Sequence, residues 1–173
     1  MKNKFYLLII LLLFTACYPS IKVKKNIIKD NEGKVLSVKE GNYVDNVGRV
    51  LNIIYSEKEK KYLISNTGAF EAVITKNIYK NYYLLEGLED EKKYRNLYLV
   101  NIDGKFINIF QYDIPENKIK ELEKKFNVLI TINQNGVFID GTQRNIYNTI
   151  LYCIKNNYIK KEFFLIKKLS NLQ

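Results

Sequence analysis

Residues 94–112 read YRNLYLVNIDGKFINIFQY, and this stretch decides the fold. Tyr94, Asn96, Tyr98, Val100 and Ile102 fall on one side of an extended chain and their neighbours on the other, the period of two that a strand imposes. Asp103-Gly104 then separates this run from a second, Phe106 to Tyr112. Asp-Gly suits the two-residue turns whose central positions take positive φ, so the two runs read as a hairpin. Their β-branched and aromatic content fits a pleated, half-buried surface.

The chain before this hairpin carries the same signature. Ile21–Val23 and Val35–Ser37 bracket a turn cluster, Asp30-Asn31-Glu32-Gly33. Leu51, Ile53 and Tyr55 point one way and Val50, Asn52 and Ile54 the other. A charged loop, 56–61, follows. Two further runs, 62–65 and 69–75, flank the turn residues Asn66-Thr67-Gly68. Ile78 to Glu86 reads as one Tyr-rich strand, and 87–93 as a charged, solvated loop.

After the hairpin the period changes. Pro115 can open a helix, and Ile119, Leu122 and Phe126 recur at helical spacing. Val128–Ile132 and Val137–Ile139 read as strands joined at Asn135-Gly136. Asp140 followed three residues later by Gln143 has the form of a capping box. The second helix then shows an apolar stripe of Ile146, Ile150, Ile154 and Tyr158, ends near Asn156-Asn157, and gives way to a closing strand over 160–168. These elements predict a single α+β domain over 26–173: an antiparallel β-rich N-terminal part, with two helices packed on one sheet face in the C-terminal third.

The first residues are of a different kind. Met1-Lys2-Asn3-Lys4 is a short positive segment, Phe5 to Phe14 is unbroken apolar sequence, and Thr15-Ala16-Cys17 supplies small residues and a cysteine. An apolar run of about 20 residues is needed to span a bilayer, so this one is too short and reads as a secretory leader. Phe14-Thr15-Ala16-Cys17 resembles the leader motif of bacterial lipoproteins. That resemblance implies cleavage after Ala16, a diacylglyceryl (palmitate-type) anchor on Cys17, a tether over 17–25, and a location on a cell or outer membrane outside the cytoplasm. The membrane lipid is then the first partner. Several acyl chains together make release negligible, where one alone binds marginally.

The 173-residue chain carries a formal net charge of +10. Lys2 and Lys4 belong to the leader, which leaves about +8 on the mature chain. A basic surface favours anionic neighbours, and for an exported chain these are head groups or envelope glycans rather than nucleic acid. There is no histidine, and the only cysteines are Cys17 and Cys153. Triads that use histidine, and histidine- or cysteine-based metal sites, are thereby excluded, and no glycine-rich phosphate loop occurs. No cofactor and no metal are implied, and no catalytic residue is assigned. Cys153 sits among Ile150, Leu151 and Ile154, as a buried, inert thiol would.

Carboxylate chemistry stays open, because two acids suffice to cleave a glycoside. Glu71, Asp113, Glu116 and Asp140 are the candidates for such an envelope glycan hydrolase. A surface immunity or exclusion lipoprotein is another reading of the same leader. The expectation that best fits the absence of a catalytic constellation is a non-enzymatic envelope protein that binds an envelope protein or glycan. Its contact face is expected on the Tyr-rich sheet, at Tyr79, Tyr82, Tyr83, Tyr94 and Tyr98.

Overall fold

The structure, a computed structural model, describes residues 20–24, 26–29, 33, 36, 38, 40–66, 69–87, 94–133 and 136–167, with the backbone alone at 66 and 69–71. Its centre is a closed barrel. Strands β2 (Gly41–Asp45), β3 (Val50–Ser56), β4 (Lys61–Asn66), β5 (Ala69–Tyr79), β6 (Tyr82–Gly87), β7 (Arg95–Asp103) and β8 (Phe106–Tyr112) pair antiparallel in chain order. The C-terminal strand β11 (Ile159–Lys167) lies between β8 and β2, antiparallel to both, and completes the ring of eight.

Residues 113–158 are thus an excursion between the seventh and eighth staves. With β1 (Ile21–Val23) they build a wing. β1 pairs with the start of β7 and runs parallel to β10 (Gly136–Asp140), which pairs in turn with β9 (Leu129–Asn133). Helices α1 (Glu116–Phe126) and α2 (Gln143–Lys155) cover this wing and the adjoining outer wall of the barrel.

This corrects the expected fold class. The protein is mainly β and its sheet closes on itself; it is not an open sheet with helices on one face. Alternation in sequence reveals which side of a strand is buried, but not whether the first and last strands meet. Closure depends on β11 pairing across the whole 113–158 excursion.

Side chains fill the barrel. Tyr43, Leu51, Ile53, Tyr62, Val73, Leu85, Val100, Ile107, Ile109 and Leu165 are buried in one cluster, joined by Leu36. An eight-stranded barrel is just wide enough to be filled this way. Apolar side chains line the inside, the reverse of a membrane-spanning barrel with its polar lumen. A second core lies outside the wall, where Ile74, Ile78, Leu84, Leu97 and Leu99 meet β1, β10 and the buried stripe of α2, Ile146, Ile150, Cys153 and Ile154. Strands β5 to β7 are buried on both faces, hence Val73-Ile74, Leu84-Leu85 and Leu99-Val100 as adjacent apolar pairs. Each such side chain contributes about 1.5–3 kcal/mol on burial.

Local chemistry explains the boundaries, with corrections. Asp103 pairs with Phe106, so the hairpin turns on Gly104-Lys105, with Gly104 at φ +56° in the first central place. The expected strand 78–86 is broken at Lys80-Asn81, between the paired Tyr79 and Tyr82. Lys80 takes φ +48° there, and the Asn77 amide donates to the carbonyls of Lys80 (2.7 Å) and Tyr82 (3.2 Å). Helix α1 follows Pro115 and stops at Asn127, which is left-handed. Helix α2 is capped by Thr142, whose side chain accepts the Asn145 N–H at 3.2 Å. The expected cap Asp140 instead ends β10 and is ion-paired with Lys24, and Gln143 donates to the Ile27 carbonyl (2.6 Å). Within the span 17–25, the described residues Ser20 to Lys24 include β1, which is fully buried at Ile21 and Val23. Val35 and Ser37 lie outside the described residues, and Leu36 is not in a strand.

Candidate functional site

The five tyrosines expected to form one face are divided among three places. The break at Lys80-Asn81 sets the phase of β6 so that Tyr83 points into the barrel, together with Tyr98. Tyr79 and Tyr82 lie on the outer wall against the second core, Tyr82 with its ring 5.4 Å from that of Phe110. Tyr94 is on the wing, edge-on to Phe138 at 5.2 Å, and Lys22 stands over the same Phe138 ring at 5.4 Å.

Around Tyr79 the fold assembles a different group. The ammonium groups of Lys80 and Lys155 stand 5.2 and 5.3 Å from its ring centre. Lys76 stands 5.3 Å over Tyr147, whose hydroxyl donates to the Ile78 carbonyl at 3.5 Å. On the other flank of α2, Lys125 stands 4.0 Å over Tyr152, and Tyr152 is stacked edgewise between Phe126 and Tyr158. The outer side of α2 itself presents exposed Arg144 and Lys155 with half-buried Asn148 between them.

The segments that carry Lys76, Tyr79, Lys80, Tyr147 and Lys155, 72–85 and 141–161, contain no acidic residue, whereas Lys125 comes from α1, which also carries Glu116, Glu121 and Glu123. Among the described residues Lys80, Lys125 and Lys155 form no ion pair with a carboxylate. Each cation over a ring contributes about 0.5–1 kcal/mol at an exposed site. The result is a positive, ring-studded ridge suited to an anionic surface. The absence of acids over 141–161 was readable in the sequence; the approach of 76–80 to α2 was not, because it is a tertiary contact.

The acids hold the fold. Glu86, expected beside a solvated loop, is fully buried, and its Oε2 accepts the N–H groups of Ile27 (2.9 Å) and Ile28 (2.7 Å). Asp45 accepts the N–H groups of Val47 (3.0 Å) and Arg49 (2.8 Å) and binds the Arg49 guanidinium, which lies 4.8 Å from the Phe163 ring. Asp113 follows β8 with its N–H bonded to the Tyr158 carbonyl, and Glu116 sits in the first turn of α1, where negative charge is favoured. Glu71 pairs through its backbone with Ile64, and its side chain lies outside the described residues. None of these contacts joins one acid to another.

Burial pushes the Cys153 thiol up to about 12, so it stays protonated and unreactive. Among the described residues no group of three His, Cys, Asp or Glu side chains could hold a metal ion. None of the described helices is long and apolar enough to cross a membrane; Cys17 and the apolar run before it lie outside the described residues. Comparison with family models, with curated proteins and with solved structures finds no match.

Proposed function

We propose that the chain is a lipid-anchored protein of the cell envelope that binds rather than transforms its partner, and that it presents the Lys–Tyr ridge along α2 to an anionic envelope component. The observation that carries the binding assignment is that Lys80 and Lys155 both stand over the ring of Tyr79, on two segments without an acid. Anionic groups gain from every ammonium on such a ridge, while the rings supply flat apolar area for sugars or acyl-proximal groups. The anchor rests on the leader ending at Cys17.

Two measurements test the parts separately. Cells labelled with a fatty-acid probe should show label on the native chain and none on Cys17→Ser, which should leave the membrane fraction. The purified domain should bind an immobilised anionic polysaccharide and elute as salt rises, and should pass through a neutral polysaccharide on the same matrix. Equal retention on the two matrices removes the ridge as a binding site.

A further inference from the structure

The lipid-anchored reading carries a geometric consequence. Ser20 is the first described residue, and between it and Cys17 stand only Tyr18 and Pro19. A fully extended chain gains at most about 3.6 Å per residue, so the backbone at Ser20 lies within about 11 Å of that at Cys17. The glycerol on Cys17 sits at the boundary of head groups and acyl chains, and the polar layer of one leaflet is about 5–8 Å thick. Ser20 therefore cannot leave the membrane surface.

Nor can the tether lengthen by fraying. β1 is bonded on both edges, to Leu97 and its neighbours on β7 and to Val137–Ile139 on β10, and Ile21 and Val23 are 0% exposed. Drawing out this strand would open the second core and unpair two others. The paired β1 therefore holds Ser20, next to the point where the tether enters the fold, at the centre of the wing.

The surface beside Ser20 is defined. Its hydroxyl reaches the Asn96 Oδ1 at 3.3 Å, and a side chain at Gly136 would come within 3.6 Å of its carbonyl. Gly136 pairs with Asn133, and Ile21, Val137 and Ile132 form one row across β1, β10 and β9. Strands are spaced about 4.8 Å apart, which puts Ile132 about 10 Å from the exit point. Ile132 is 45% exposed at this end of the edge strand; Leu129, 62% exposed, lies at its other end and on the opposite face. An exposed apolar edge strand is ordinarily a liability that something covers.

We infer that the domain stands on its own membrane by the wing, with the Ile132 end of β9 and the start of β10 in the lipid interface and the far barrel wall, β2 and β3, turned away. The occupant of the exposed β9 edge is lipid. A partner must then come to the membrane-proximal layer, because the domain cannot reach out to it.

The lipidated full chain, purified from membranes and reconstituted into phosphatidylethanolamine–phosphatidylglycerol vesicles containing a nitroxide head-group lipid, tests this. A fluorophore is placed at Ile132→Cys or, as the distant reference, at Val47→Cys in the β2–β3 turn, where the native residue is 63% exposed. Buried Cys153 does not compete for the label. Quenching should be at least threefold stronger at position 132 than at 47, and inserting about 20 Gly/Ser residues between Pro19 and Ser20 should abolish the difference. Equal quenching at both positions, or stronger quenching at 47, overturns the orientation while leaving the anchor intact. A chain without lipid in the mass spectrum overturns the anchored reading itself, and this inference with it.

Discussion

The Glu86 carboxylate accepts the backbone N–H of Ile28 at 2.7 Å, 58 residues earlier in the chain, and with it the N–H of Ile27 at 2.9 Å. This contact pins the segment after β1 to the outer wall of the barrel. A charged acceptor in a dry site makes such bonds stronger than neutral ones. Glu86→Ala leaves both buried N–H groups unpaired and should cost about 3 kcal/mol or more in urea unfolding. Glu86→Gln keeps one oxygen acceptor and should cost less than half of that. Equal losses for the two would show that packing, not hydrogen bonding, is what Glu86 supplies.

Two buried tyrosines should respond in opposite directions to loss of the hydroxyl. The Tyr62 hydroxyl accepts the Leu36 N–H (2.8 Å) and donates to the Leu36 carbonyl (3.3 Å), tying that segment to the barrel interior. Tyr62→Phe should destabilise by about 1–3 kcal/mol. The Tyr112 hydroxyl is buried without a hydrogen-bond partner among the described residues. Tyr112→Phe removes an unsatisfied group and should stabilise by about 1 kcal/mol. Thermal unfolding of the pair decides it, since both shifting downward would place an unseen partner on Tyr112.

The same burial sets an alkaline limit. Desolvation raises Tyr62 and Tyr43 above the ordinary phenol value of 10.0 and Tyr112 well above it. Above pH 10 the unfolded chain has lost phenolic protons that the folded chain still holds. Stability is therefore full below that point and falls as pH rises, by about 1.4 kcal/mol per pH unit for each such proton. Chemical denaturation between pH 8 and pH 11 should show this decline, shallower in Tyr112→Phe. A flat profile would mean these hydroxyls ionise as freely in the folded chain as in the unfolded one.

Charge reversal on the ridge separates binding from folding. Lys80→Glu with Lys155→Glu should weaken retention on an anionic polysaccharide at least tenfold and reduce its salt dependence. Stability should change by no more than about 1–2 kcal/mol, the value of two exposed cation–ring contacts. The control reversal Lys60→Glu in the β3–β4 turn, away from the ridge, should alter retention far less; equal effects would reduce the ridge to net charge alone.

Cys153 should ignore thiol reagents in the folded protein and react fully in denaturant, because its thiol is buried and held up at about 12. Rapid labelling under native conditions would require α2 to open readily from the wing.

Much of the local structure was legible in the residues themselves. Gly104 marked the central hairpin, Pro115 and Asn156-Asn157 bounded helices, and the stripe Ile146, Ile150, Ile154 gave the buried side of α2. What the residues could not disclose was long-range. β1 is only three residues, and its alternation shows nothing of its place in the sheet; pairing with β7 at Leu97 and with β10 at Val137 makes it an interior strand. The turn at Lys80-Asn81 lacks glycine and is braced by Asn77, so 78–86 reads as one strand; the turn instead pairs Tyr79 with Tyr82 on the outer wall, and the adjacent Tyr83 points the opposite way, into the barrel. Asp140 satisfied a capping pattern, but Lys24 claims its carboxylate and Thr142 takes the cap.

The proposed membrane location and the proposed orientation of the wing both rest on lipid attachment at Cys17, and the amino-terminal tryptic peptide of protein taken from its native membrane reports that attachment most directly. Lipid anchoring predicts a peptide spanning Cys17 to Lys22 with a diacylglyceryl mass on the cysteine sulfur. A peptide carrying a free thiol at Cys17, or one still joined to the apolar residues before it, contradicts the anchor.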